Sequence, residues 1–138
     1  MFNGVCSFCK LVRKEETANL VYEDDKVMAF LDINPINEGH TLVVPKKHFA
    51  TISDIPEEEV AYLFKIVRRI AIAVKKGVNA EGIVITQRNG KAAGQRVPHL
   101  HVHVIPRYEG QILPRPERIQ GTSYEELDRV AKKISQFI

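Results

Sequence analysis

Residues 99–105 read His-Leu-His-Val-His-Val-Ile, a polar–apolar alternation that marks a strand over Leu100–Ile105. Strand side chains point to alternate faces, so His99, His101 and His103 project to one side and Leu100, Val102 and Val104 to the other. At ~3.3 Å rise per residue, successive imidazoles on that face stand roughly 6.5–7 Å apart. A lone histidine on a strand is commonly a satisfied core residue, but three in register against an apolar back are hard to explain as packing. Two chemistries fit them. One is metal chelation by His-x-His on a strand. The other is nucleophilic catalysis by a neutral imidazole, whose ordinary pKa near neutrality keeps enough free base to attack phosphorus. The spacing does not separate the two.

The preceding loop, Asn89-Gly90-Lys91-Ala92-Ala93-Gly94-Gln95-Arg96, tips the balance. Its glycines let backbone N–H groups converge on an anion, and Arg96 adds a charge-assisted donor. Alone it would be an ordinary hairpin loop with a solvated arginine. Beside three histidines it reads as a phosphate-binding loop.

The rest of the chain supplies a compatible frame. Residues 20–24 and 27–33 form two short strands joined at Asp24-Asp25, and His40–Pro45 is a β-branched run bounded by Gly39 and a proline. A helix starts near Pro56, with Glu57, Glu58 and Glu59 at its positive end. Val60, Leu63, Phe64, Val67, Ile70, Ala71 and Val74 make its apolar face, and Lys75, Lys76 and Gly77 close it. Ile83–Thr86 is a further strand. After Arg107 the chain is irregular and proline-rich (Pro114, Pro116). From Ser123 a capping-box opening with Glu126 leads into a second helix with Leu127, Val130, Ala131 and Ile134 at helical spacing. About five strands and two substantial helices indicate an α+β fold, an antiparallel sheet carrying helices on one face.

With 138 residues the chain fits one domain. A net charge of +3 with scattered basic residues argues against a nucleic-acid-coating protein, and no apolar stretch approaches the ~20 residues of a membrane span. Met1-Phe2-Asn3-Gly4 lacks the layout of a secretory signal, and two cysteines are too few for a disulfide framework. The expectation is a cytoplasmic protein.

Taken together, these motifs resemble the histidine triad (HIT) family of nucleotide hydrolases and transferases. The resemblance rests on His99–Ile105 and is supported by Phe30-Leu31-Asp32-Ile33, by Pro35 with Gly39-His40-Thr41-Leu42-Val43-Val44-Pro45-Lys46-Lys47-His48, and by Asn89 with Gly94-Gln95. It runs from about Cys6 to Arg107. It implies a HIT-like domain over 1–138, with a core of about 5–108 and a helical C-terminal extension over 109–138. It also implies a homodimer whose two five-stranded antiparallel sheets join into one. The activity implied is release of a nucleoside monophosphate, foremost AMP, from a dinucleoside polyphosphate or a nucleoside phosphoramidate through nucleotidylated His101.

By the same resemblance His99 or a donor near the loop protonates the leaving group, His103 with the loop amides holds the non-bridging oxygens, and His40 fixes ring orientation. Asp32 matches the position that binds the ribose hydroxyls. Phe8, Leu11, Phe30 and Ile33 match the apolar pocket around a purine base, and Asn89, Gly94, Gln95, Arg96 and Val97 match the phosphate loop. Arg96 departs from the serine or threonine that many relatives carry there. An arginine does not give up a proton at neutral pH but stabilises charge, which favours polyphosphate leaving groups over amines.

Cys6-Ser7-Phe8-Cys9 is a C-x₂-C pair, read either as half a zinc site or as a redox couple. A thioredoxin-like pair should follow a core strand, and none precedes this one. In a subset of the triad family, and in the related galactose-1-phosphate uridylyltransferases, such a pair binds structural zinc with two histidines, which match His48 and His99 here. His99 would then be unavailable as an acid. Two rivals to the nucleotidyl enzyme are a metal-dependent hydrolase built on His99, His101 and His103, and a non-catalytic purine-nucleotide-binding dimer.

Overall fold

A computed structural model describes residues 6–111 and 118–138; the N-terminal residues 1–5 and the prolines Pro114 and Pro116 lie outside them. Two strands, β1 (Leu20–Glu23) and β2 (Val27–Leu31), form a hairpin whose turn is tied by Asp24, which accepts the N–H groups of Lys26 and Val27 through Oδ1. β3 (Thr41–Pro45), β4 (Gly82–Gln87) and β5 (Val102–Arg107) complete a five-stranded sheet in the order β1-β2-β3-β5-β4. Every neighbouring pair is antiparallel.

The sheet is covered on both faces where the site lies. Every residue of β2 and β3 is buried, and their alternation divides them between two clusters. Val27, Ala29, Leu31 and Val43 pack with α2 (Glu57–Gly77) and α3 (Tyr124–Ser135). Met28, Phe30, Leu42 and Val44 pack on the opposite face with Phe8 from α1 (Ser7–Val12). The two long helices therefore share one face, as the sequence indicates, while α1, which the sequence reading lacked, occupies the other.

Pro56 sits just outside α2 in extended conformation, with the three glutamates in the first turn. The buried stripe of α2 is Leu63, Ile66, Val67, Ile70, Ala73 and Val74. Phe64, expected on that stripe, is 38 % exposed. The helix faces the sheet and α3 together, which turns Ile66 and Ala73 inward and leaves Phe64 at the margin. In α3 the expected Leu127, Val130, Ala131 and Ile134 are all buried, and the Ser123–Glu126 capping box is formed in both directions.

β5 starts later than the alternation suggests. In the β3–β5 register Thr41 faces Val104, Leu42 faces His103 and Val43 faces Val102. Continuing it would bring Leu100 opposite Pro45, which has no N–H to donate, and the ladder stops first. Leu100 N–H bonds the Phe49 carbonyl instead, at 2.7 Å, and His99 N–H bonds Val97, at 2.8 Å. Of the three histidines only His103 lies in the strand; His99 and His101 belong to the approach to it.

Where α2 ends, a Cβ on Gly77 would come within 3.0 Å of both the Ile134 Cα and its side chain and 3.1 Å of the Lys133 carbonyl. Alanine is the better helix former by ~1 kcal/mol. The backbone of α3 is nevertheless in the way, and overpacking of this kind costs about 1–3 kcal/mol. Gly77→Ala is therefore expected to destabilise the protein by about 1 kcal/mol, read as a lower thermal midpoint; an unchanged or raised midpoint contradicts the close α2–α3 contact.

Candidate active site and metal centre

The site assembles where β3 and β5 part company. His101 follows the break in the ladder and folds its ring back, so that Nδ1 donates to the His99 carbonyl at 2.7 Å. A proton on Nδ1 fixes the neutral tautomer and leaves the Nε2 lone pair for a reacting atom. Phe8 meets this ring edge-on, centroids 5.1 Å apart, and Phe30 lies beyond Phe8 at 5.4 Å. Burial pushes the His101 pKa below its ordinary value, against the opposing pull of the His99 carbonyl and Asp32.

A second chain of bonds sets His103. The Ile36 N–H donates to His40 Nδ1 at 3.0 Å, so the His40 proton sits on Nε2 and is directed at His103 Nδ1, 2.9 Å away. His103 must then carry its own proton on Nε2. Its ring centroid lies 5.1 Å from that of His101, so the two imidazoles stand side by side. His40 is fully buried and His103 half-buried, and both rings are neutral at physiological pH. Burial holds His40 down to about 4, despite the Asp32 carboxylate. His103 is held to about 3, by burial first and then by His40.

Asp32 follows β2 and accepts two hydrogen bonds, with a third polar group close by. Its Oδ1 takes the Asn34 N–H at 2.9 Å, while its Oδ2 takes Arg118 Nη1 at 3.0 Å and stands 3.6 Å from His40 Nε2. Arg118 also reaches the Asn34 carbonyl at 2.8 Å, and the next residue, Ile119, bonds Pro35. The sequence reading missed Arg118, and no local pattern could reveal a partner 86 residues from Asp32.

His99 turns the other way. Its Nε2 donates to the Pro45 carbonyl at 2.8 Å, the group next to the break in the β3–β5 ladder. That leaves Nδ1 as a lone pair facing Cys6 Sγ at 3.3 Å, Cys9 Sγ at 3.5 Å and His48 Nδ1 at 3.2 Å; Cys9 Sγ is 3.1 Å from His48 Nδ1. All four donor atoms lie within 4.8 Å of one another. A tetrahedral zinc ion, with Zn–S near 2.3 Å and Zn–N near 2.0–2.1 Å, implies edges of about 3.5 Å between sulfur and nitrogen and about 3.3 Å between nitrogens. The donor set fits that frame with little adjustment. Burial, reinforced by the adjacent Cys6 thiol, pushes Cys9 up to about 11, so a dithiolate here needs a cation beside it. With both ring nitrogens engaged, His99 stands apart from His101 and His103. Among the described residues, the other group with metal-ligand geometry is Asp32 with His40 and His103, not the three histidines of the run.

The 88–97 loop is held by its own amides. Gln95 Oε1 accepts the Gly90 N–H at 2.7 Å, and Gln95 Nε2 donates to the Ala50 and Val97 carbonyls at 2.7 and 3.0 Å. Asn89 Oδ1 accepts the Ile52 N–H at 2.7 Å. Gly94 is left-handed (φ 90°) and lies against Arg88, whose Nη1 is 2.9 Å from where a Cβ would stand. Arg96 is exposed, and among the described residues its side chain has no hydrogen bond or ion pair. Of the expected base pocket, Phe8 and Phe30 are buried together with Leu11 packed against them, whereas Ile33 is 66 % exposed and outside that cluster.

The HIT domain family model matches residues 13–110. An uncharacterized HIT-like protein of Methanocaldococcus jannaschii is 49 % identical over 130 residues, covering 94 % of this chain and 98 % of its own. An adenylylsulfatase of Arabidopsis thaliana is 36 % identical, covering 94 % and 65 %, and an adenosine 5'-monophosphoramidase of Saccharomyces cerevisiae is 36 % identical, covering 96 % and 82 %. Among solved structures, a HIT-like protein of Bartonella henselae superposes with a TM-score of 0.89 at 44 % identity, covering 96 % of each chain. A zinc-bound histidine triad family protein of Mycobacterium smegmatis superposes with a TM-score of 0.83 at 38 % identity, covering 95 % and 94 %.

The depressed His40 and His103 have a consequence for stability. Unfolding returns both rings to the ordinary value near 6.5, so below that pH the unfolded chain binds more protons than the folded one. Their contribution is complete above pH 6.5 and is lost as the pH falls toward about 4, where His40 itself titrates. The thermal midpoint is expected to drop by on the order of 5 °C or more between pH 7 and pH 5, and replacing His103 with asparagine to flatten that slope. A wild-type midpoint level across this interval contradicts neutral burial of the pair.

Proposed function

The chain belongs to the HIT domain family, and on that premise we propose that it is a nucleotide hydrolase or nucleotidyl transferase acting through a covalent adduct on His101. The observation that carries the reading is the 2.7 Å bond from His101 Nδ1 to the His99 carbonyl, which leaves Nε2 as the one free lone pair of a neutral ring. Nε2 attacks the α-phosphorus of a nucleotide, a P–N bond forms, and the bond to the leaving group breaks. Water then attacks the adduct and releases the nucleoside monophosphate, so a difficult hydrolysis is divided into two steps.

The neighbouring groups suit those steps. His103, with its proton directed outward from Nε2, donates to a non-bridging oxygen, and the N–H groups of Arg96 and Val97, which have no acceptor within the chain among the described residues, add two further donors. Phe8 and Phe30 offer aromatic edges to a base, and Asp32 offers its remaining lone pairs to ribose hydroxyls. His99 takes no part in proton transfer on this reading, because both its nitrogens are engaged elsewhere. Cys6, Cys9, His48 and His99 would hold zinc, whose charge keeps both sulfurs ionised and the four side chains in place. Adenylyl substrates have the support of the Arabidopsis and yeast relatives, whose names specify adenylylsulfate and AMP-amide hydrolysis.

We further propose a homodimer. β4 is an edge strand, with Val84 36 % and Ile85 48 % exposed, and pairing it with the same strand of a second copy would cover both. Among the described residues no helix is long and apolar enough to cross a membrane.

The test is to mix the protein with a diadenosine polyphosphate or an adenosine phosphoramidate, quench in base, and weigh the intact chain. Wild type is expected to gain the mass of one adenylyl group and His101→Ala to gain none. AMP bound without adduct or turnover favours the non-catalytic binding dimer instead. Arg96 sets the choice of leaving group: its charge stabilises a departing polyphosphate and does nothing for a neutral amine. Arg96→Ser is expected to lower the polyphosphate-to-phosphoramidate rate ratio about tenfold, equivalent to about 1.4 kcal/mol in the barrier. An unchanged ratio removes Arg96 from specificity.

A further inference from the structure

Cys6 and Cys9 flank Phe8, so whatever anchors the two sulfurs also anchors the ring between them. α1 spans six residues, far too few to persist as a helix without outside contacts. Its buried Phe8 lies edge-on to Phe30, to His101 and, at 6.0 Å, to His99. A second connection runs through His99, whose ring belongs to the four-donor cluster and whose carbonyl orients the His101 ring. The cluster and the nucleophile are thus joined twice, by the Cys6–Cys9 segment and by the His99–His101 segment.

We infer that metal binding at Cys6, Cys9, His48 and His99 and nucleotide binding at His101 strengthen one another, and that Phe8 is the positioning residue through which they do so. The inference rests on the nucleotide reading above. A metal that holds α1 in place presents Phe8 as a finished wall beside Phe30 and His101, so a nucleotide no longer has to order it. Coupling between two sites is reciprocal: a nucleotide that traps Phe8 against the base holds the two cysteines in register for the metal by the same factor.

The experiment measures zinc affinity of the full chain by equilibrium competition with a chromophoric chelator, without AMP and with saturating AMP, after calorimetry has established AMP binding to the same zinc-loaded preparation. AMP is expected to tighten zinc at least about fivefold, the lower end of ordinary allosteric coupling. Phe8→Ala keeps all four donors and is expected to bind zinc stoichiometrically, yet to show less than about a twofold effect of AMP at saturation, with Phe8→Tyr restoring the wild-type response. If AMP binds and leaves the zinc affinity unchanged, the inference is overturned while the nucleotide reading stands. If Phe8→Ala responds to AMP as wild type does, coupling runs through overall folding and the role of Phe8 is overturned. Failure of AMP to bind at all overturns both, and a chain that takes up no zinc overturns the inference alone.

Discussion

The ladder between β3 and β5 ends before Pro45, which has no N–H to give, and two histidines leave the sheet at that point. The Pro45 carbonyl takes the His99 ring instead, which directs the other nitrogen of His99 toward the cysteines. The His99 carbonyl in turn receives the proton of His101. One missing donor therefore separates a run of three similar side chains into different surroundings with different partners. Had the pairing continued through residue 100, His99 would stand on the same face as His101 and His103, in the arrangement a strand imposes.

The other half of the site depends on imidazoles kept neutral. His40 is wholly buried, and the cost of charging it falls on the whole hydrogen-bonded series from Ile36 to His103. Asp32 would favour a charged His40, but Arg118 pairs with the same carboxylate oxygen and offsets that pull. Each ring in the series has one nitrogen occupied by a partner of known polarity, and the tautomers follow without ambiguity. The same logic disfavours a metal at Asp32, His40 and His103, since His40 Nε2 is already a donor.

How much of this could be read from the sequence varied with the range of the interaction. The α3 cap is written in Ser123 and Glu126 three residues apart, and the burial of Leu127, Val130, Ala131 and Ile134 follows from their spacing. The sheet and the two long helices were legible for similar reasons. α1 was not, because its order comes from the Cys6 cap, from Phe8 packing on Phe30, and from partners such as His99, 93 residues from Cys6. Phe64 misled because a stripe facing two neighbours is turned from the one that periodicity alone suggests. Ile33 matched an apolar pocket by pattern yet sits past the end of β2, where alternation no longer controls its direction.

The Arg118–Asp32 pair bears on the order in which the molecule can be completed. Chains emerge from synthesis N-terminal end first, at roughly 5–20 residues per second, and domains begin to organise as they do. Asp32, His40 and the turn between them are made early, yet the cation that braces Asp32, and the Ile119 N–H that pins Pro35, come 84–86 residues later. The sheet can be in place while this corner still waits for its last contacts. A nascent or C-terminally clipped chain would have the His101 segment in place and lack the Arg118 and Ile119 contacts, which leaves the Asp32–His40 corner unbraced until synthesis has run past Ile119.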